Sequence, residues 1–189
     1  MEEKKASPSQ PAIKWALIGL IASIIITYSF QFLNIDPNSS AKYISYILFI
    51  AFLCLTQKEY KDQLGDYLTY GEGFMSGFLY SVFAGVLGAI FLYVYLAILS
   101  PEQVTKMIAL MQANVEANKN ISPEQAEQAV SMASKFMTPT AVAIITLIGS
   151  VVMGAIISLI TAAIFKKERS PFEIASSDYE DPKPLDPTV

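Results

Sequence analysis

The side chains that could do chemistry are few, and their spacing supports little of it. The chain has no histidine, and its single cysteine, Cys54, lies inside an apolar run. A disulfide within one chain and a His/Cys metal cage are therefore both excluded. Ser7, Ser9, Ser39 and Ser40 have no imidazole to activate them and no GxSxG turn around them, which leaves nucleophilic hydrolysis without support. The most individual polar stretch is Gly65-Asp66-Tyr67-Leu68-Thr69-Tyr70-Gly71-Glu72-Gly73-Phe74. Asp66 and Glu72 form a candidate polar site there, for a cation or a basic partner. Thr69-x-x-Glu72 also reads as a capping box that starts a helix, and this structural role is the expected one. The glycines make no phosphate loop, since no GxxxxGK[ST] follows a strand. No catalytic, cofactor-binding or metal-ligating residue is expected, and no cofactor.

The elements that must position these residues follow from composition. Of 189 residues, 53% are hydrophobic and 16% charged, a balance foreign to a soluble globular domain. Four intervals, 15–35, 43–57, 73–101 and 136–165, contain no Asp, Glu, Lys or Arg, and together they make up half the chain. A bilayer core of about 30 Å needs roughly 20 apolar residues in a helix. The first run is too long for a secretory h-region and has no small-x-small cleavage site, so it reads as an uncleaved signal anchor. The second is short, and becomes a span if Lys42 and Lys58 snorkel outward. The expected spans are about 13–33, 39–58, 70–99 and 139–165. Trp15, and Tyr28 with Phe30 and Phe32, mark the two interfaces of the first, and Tyr93 and Tyr95 mark where the third leaves the bilayer.

With four spans, nine Lys or Arg fall on the side of the termini and four on the other, which predicts N-in and C-in. Asp66 and Glu72 are then cytoplasmic. Residues 1–11 and 169–189 lack apolar periodicity and are expected to be disordered cytoplasmic tails flanking a 12–168 membrane domain. Residues 170–189 carry five acids against Lys183, which accounts for the net charge of -4, and nucleic-acid binding has no basic patch to rest on.

Between the last two spans, Ser100-Pro101-Glu102-Gln103 and Ser122-Pro123-Glu124-Gln125 repeat one pattern. Each is a helix-start signal: a capping serine, proline at the first position, an acid at the positive dipole end and a glutamine that completes a capping box. Helices are expected over about 101–119 and 123–137. Val104, Met107, Ile108, Met111 and Val115 share one face of the first; Ala126, Ala129, Val130, Ala133 and Met137 share one face of the second. An amphipathic outer hairpin follows, packed on itself or lying in the interface.

Helix packing is the other legible feature. Gly73, Gly77, Ser81, Gly85 and Ala89 recur every four residues in the third span, as do Thr146, Ser150, Gly154, Ser158 and Ala162 in the fourth, and Gly19, Ser23 and Thr27 in the first. Small-xxx-small faces let backbones approach closely, where van der Waals contact replaces the hydrophobic effect. A step of four residues turns about 400°, so the stripe drifts. The third and fourth spans are expected to cross near Gly85 and Gly154, leaving part of the third stripe for the first span. The packing residues are thus Gly19, Gly77, Ser81, Gly85, Ser150, Gly154 and Ser158.

The pattern resembles a four-span family of Bacteroidota known as domain of unknown function 4199. The resemblance rests on Trp15-Ala16-x-x-Gly19 opening the first span, Thr-Tyr-Gly-Glu-Gly-Phe-x-x-Gly from Thr69 to Gly77, a helical outer insert, and Phe165-Lys166-Lys167 closing the last span. It covers roughly residues 12–168 and implies an inner-membrane location and this topology, with no activity to carry over.

The sequence therefore reads as an all-α integral membrane four-helix bundle of the bacterial inner membrane with an outer helical hairpin. It is expected to be non-enzymatic and to act through membrane lipid, a protein partner or a homo-oligomer. A small transporter or channel subunit, with a pathway between spans or formed on oligomerisation, is the alternative; a membrane-bound enzyme of lipid or envelope metabolism comes third.

Overall fold

The computed structural model describes residues 6–35, 39–117 and 122–168. Residues 1–5 of the expected N-terminal tail, the whole of 169–189, and 118–121 between the two helices expected in the outer hairpin lie outside the described residues. The described chain is helical, in the order α1 (Ser9–Phe32), α2 (Lys42–Gln63), α3 (Tyr70–Val94) with a π-helical extension at Tyr95–Leu99, α4 (Glu102–Glu116), α5 (Pro123–Phe136) and α6 (Pro139–Phe165). Three of these, Ser9–Phe32, Tyr70–Leu99 and Pro139–Phe165, are long and apolar enough to cross a membrane. The helix α2 is long, but its apolar stretch stops at Gln57, and Lys58, Glu59, Lys61 and Asp62 occupy its last turns.

Local sequence explains the helix ends. Thr69 and Glu72 form the expected reciprocal capping box at the start of α3, and Ser122 and Gln125 do the same for α5. Thr138 caps α6 by accepting from the Ala141 N–H, with Pro139 in the first turn. α1 stops where Asn34 enters the left-handed region at φ 52° and Ile35 N–H reaches back to the Phe30 carbonyl. α2 stops in the same manner, with Gly65 at φ 73° and a bond from Asp66 N–H to the Lys61 carbonyl. Such six-to-one bonds satisfy carbonyls that the helix end would leave unpaired.

Three local expectations are corrected. Residues 9–11, assigned to a disordered tail, form the first turn of α1 with Pro11 buried; a first-turn proline has no N–H that the helix would have needed. Ser100 does not cap α4, whose start has no side-chain cap. The π-helical extension carries α3 almost directly into α4, so the Ser100 side chain turns inward beside Gln31 instead. The same extension turns Tyr95 into the protein, where it is buried edge-on to Tyr28 rather than marking the lipid interface.

The helix α3 is central: α6, α1 and α2 all pack on it, and α2 also touches α6. Ala12, Ala16, Leu53 and Tyr80 form the core where α1, α2 and α3 meet. Outward faces of α1 and α6 are isoleucine-rich and bare, Ile25 and Ile160 being about 60% exposed, a surface suited to lipid rather than water. α4 and α5 pack on each other, and α4 touches the π-helical segment. Ala129, expected in the seam between them, is exposed; the more covered positions of α5 are Ala126, Val130 and Ala133.

Candidate functional site

Among the described residues, the most extensive helix contact is the α3–α6 interface. A Cβ added at Gly73 would lie 3.3 Å from the Ala162 Cβ, one at Gly77 would collide with the Ser158 hydroxyl, one at Gly154 with the Ser81 side chain, and one at Gly85 with the Ser150 hydroxyl. Each step of four along α3 is thus matched by a step of four back along α6. The expected single crossing at Gly85 and Gly154 is corrected to an antiparallel ladder of four rungs. The two glycines do not meet; each receives a serine from the other helix. Because the stripes on both helices drift alike, the pair must wind round each other to keep four rungs in contact. The first span does not share this stripe: a Cβ at Gly19 would meet Phe52 at 3.3 Å and the Tyr80 hydroxyl at 3.5 Å.

Most hydroxyls here bond within their own helices, Ser81 to the Gly77 carbonyl and Ser150 to the Leu147 carbonyl, each near 2.9 Å. Ser158 is different, donating across to the Phe74 carbonyl of α3 at 2.8 Å. Gln57, fully buried, donates from Nε2 to the Gly73 carbonyl at 3.0 Å and to Ser158 Oγ at 3.4 Å, tying α2 to both other helices. Its Oε1 is buried with no partner among the described residues. Bonds of this kind between membrane helices are worth about 0.6 kcal/mol on average. Sequence reasoning passed over Gln57 because it stands at the last position of the second charge-free run, where its depth could not be read.

A second missed group joins the start of α1 to the end of α2. Glu59 accepts from Lys14 Nζ at 2.8 Å and from the Trp15 indole N–H at 2.7 Å. The signal available was Trp15 itself, an interfacial residue whose N–H seeks an acceptor when covered.

The candidate polar residues Asp66 and Glu72 are not joined on a common ligand. Glu72 Oε2 accepts from the Thr69 N–H at 3.0 Å and the Thr69 hydroxyl at 2.7 Å, within its own helix start. Asp66 lies 3.7 Å from Lys167 Nζ. That lysine is held by two backbone bonds with Leu68, of 2.8 and 2.9 Å, which pin the chain after α6 to the turn before α3. Tyr60, buried beside this turn, has its phenol pushed up from the usual value near 10 by burial and then by the Glu72 carboxylate.

A cleft of about 130 Å³ lies between α1, α2 and α3. Gly19 and Ser23 line it from α1, Phe49 and Phe52 from α2, and Tyr80 and Gly88 from α3.

A family model described as Protein of unknown function (DUF4199) matches residues 14–167. The chain belongs to that family. The matched region runs from the lysine that pairs with Glu59 to the lysine that closes on Leu68, so the DUF4199 unit takes in the ladder, the Gln57 tie and the cleft. No curated protein and no solved structure matches the chain.

Proposed function

We propose that this protein is a four-span protein of the bacterial inner membrane, with both termini cytoplasmic and α4–α5 forming an outer hairpin, as the charge distribution suggests. In this reading α2 is the additional span, with Lys58, Glu59 and Lys61 at its cytoplasmic end. The protein is not an enzyme and needs no cofactor; it works by associating with membrane lipid, with a protein partner or with a second copy of itself. The observation that carries this reading is the α3–α6 ladder: the pair with the most polar stripe is closed by side-chain contact, leaving no wet path along it. The cleft, in contrast, borders α1 and α2 at exposed Ser23 and Ser45 and is accessible from the side.

Two measurements test this. In a Cys54→Ala background, an impermeant thiol reagent applied to intact spheroplasts should label Ser131→Cys and spare Glu168→Cys; the opposite pattern overturns the orientation. Purified protein in sealed liposomes should pass neither ions nor small solutes while retaining lipid through purification. Protein-dependent flux would favour the transporter reading instead.

A further inference from the structure

We propose that the cleft between α1, α2 and α3 binds a lipid-soluble ring carbonyl compound, a quinone-like molecule whose carbonyl accepts a hydrogen bond from Tyr80. The inference deepens the proposed association with lipid and rests on the embedding of these helices in a bilayer.

Tyr80 is 2% exposed, and its hydroxyl has no hydrogen-bond partner among the described residues. The ring is held against Phe49, with centroids 5.4 Å apart, and the hydroxyl approaches Gly19, where the missing side chain leaves room. Tyr80 lines the cleft, and a donor that faces hydrocarbon without a partner is costly. An occupant of the cleft with an acceptor oxygen would relieve it.

Size, walls and depth narrow the occupant. An engineered apolar cavity of about 150 Å³ stays dry and takes up benzene, so about 130 Å³ suits one ring rather than a diacyl lipid. Polar side chains in the lining are confined to Tyr80, Ser23 and Ser45, of which Ser23 already donates to the Gly19 carbonyl, and the other walls are apolar. Phe49 and Phe52 offer aromatic faces, and a Cβ at Gly88 would meet nothing within 4 Å, leaving space for a flat ring. Tyr80 stands eight residues beyond Glu72, about 12 Å along the helix. Lipid ester groups sit at the boundary of a core about 30 Å thick, short of this hydroxyl. A ring carbonyl dissolved in the bilayer interior reaches it, and its tail leaves between α1 and α2 past Ser23 and Ser45.

The test uses the full chain in detergent micelles, with a decyl-substituted benzoquinone and, as the partner lacking oxygen, decylbenzene. Saturable quenching of Trp15, the one tryptophan, and the shift in melting temperature report binding. The quinone should bind saturably and more tightly than decylbenzene. Tyr80→Phe should weaken the quinone about three- to tenfold, the worth of one hydrogen bond, and leave decylbenzene unchanged. Gly88→Leu, which fills the open space, should abolish saturable binding of both. Equal binding of the two probes, or of the quinone to Tyr80→Phe and the parent chain, would overturn the proposal. So would a lower melting temperature for ligand-free Tyr80→Phe, since the hydroxyl would then already have a partner. Release of the parent chain from membranes by alkaline carbonate would instead remove the membrane reading itself, whatever the probes do.

Discussion

Gly154 of α6 lies directly against Ser81 of α3, so closely that a methyl group at position 154 would occupy the space of the serine side chain. Five residues earlier on the same helix, Gly149 is exposed and a Cβ there would touch nothing within 4 Å. Gly154→Ala should therefore lower stability by about 1–3 kcal/mol through overpacking, while Gly149→Ala should leave it unchanged or raise it slightly through helix propensity. Thermal unfolding in detergent separates the two. Equal melting temperatures would mean that the ladder is not a tight contact.

Alkaline stability should depend on Tyr60. Its phenol is raised above the usual value near 10 in the folded protein, so the folded state holds the proton more tightly than the unfolded one. The resulting stability is fully present below pH 10 or so and is lost as pH rises through the folded value. Tyr60→Phe should flatten that alkaline loss in melting curves recorded above and below this range, and an unchanged pH profile would contradict the assignment. Glu72→Gln, which removes the second cause of the shift, should also reduce it.

The Trp15–Glu59 contact gives an optical reading of how α1 and α2 meet. Glu59→Ala leaves the indole N–H without its acceptor and should shift the emission of the single tryptophan. Lys14→Ala should do so far less, because Lys14 reaches Glu59 from an exposed position, where an ion pair is worth about 0.2–1 kcal/mol. Identical spectra for Glu59→Ala and the parent chain would show that the two helices do not meet here.

In the α4–α5 pair, Val130→Arg should loosen α5 from α4 while Gln128→Arg should not, since Val130 is partly covered and Gln128 is exposed. Limited proteolysis over residues 100–138 measures the difference. Equal cleavage of the two variants would favour two helices lying separately on the membrane surface.

Much of the helical layout was legible in the sequence because its signals are local. Charge-free length marked α3 and α6 nearly to the residue, and Thr69-x-x-Glu72 and Ser122-x-x-Gln125 marked two helix starts, since a cap needs only residues three apart in the chain. The same local signal failed at Ser100, where the preceding helix overrides it by running on through a π-helical turn. Spacing also revealed the small-residue stripes of α3 and α6. It did not reveal their register, because which glycine meets which serine is set by how two helices slide and wind together. Gln57, Glu59 and Tyr80 were beyond local reading for the same reason. Their partners, or the lack of one, lie on other helices, and only the packing of α1 and α2 on α3 decides whether a polar side chain is bonded, paired or left facing an open cleft.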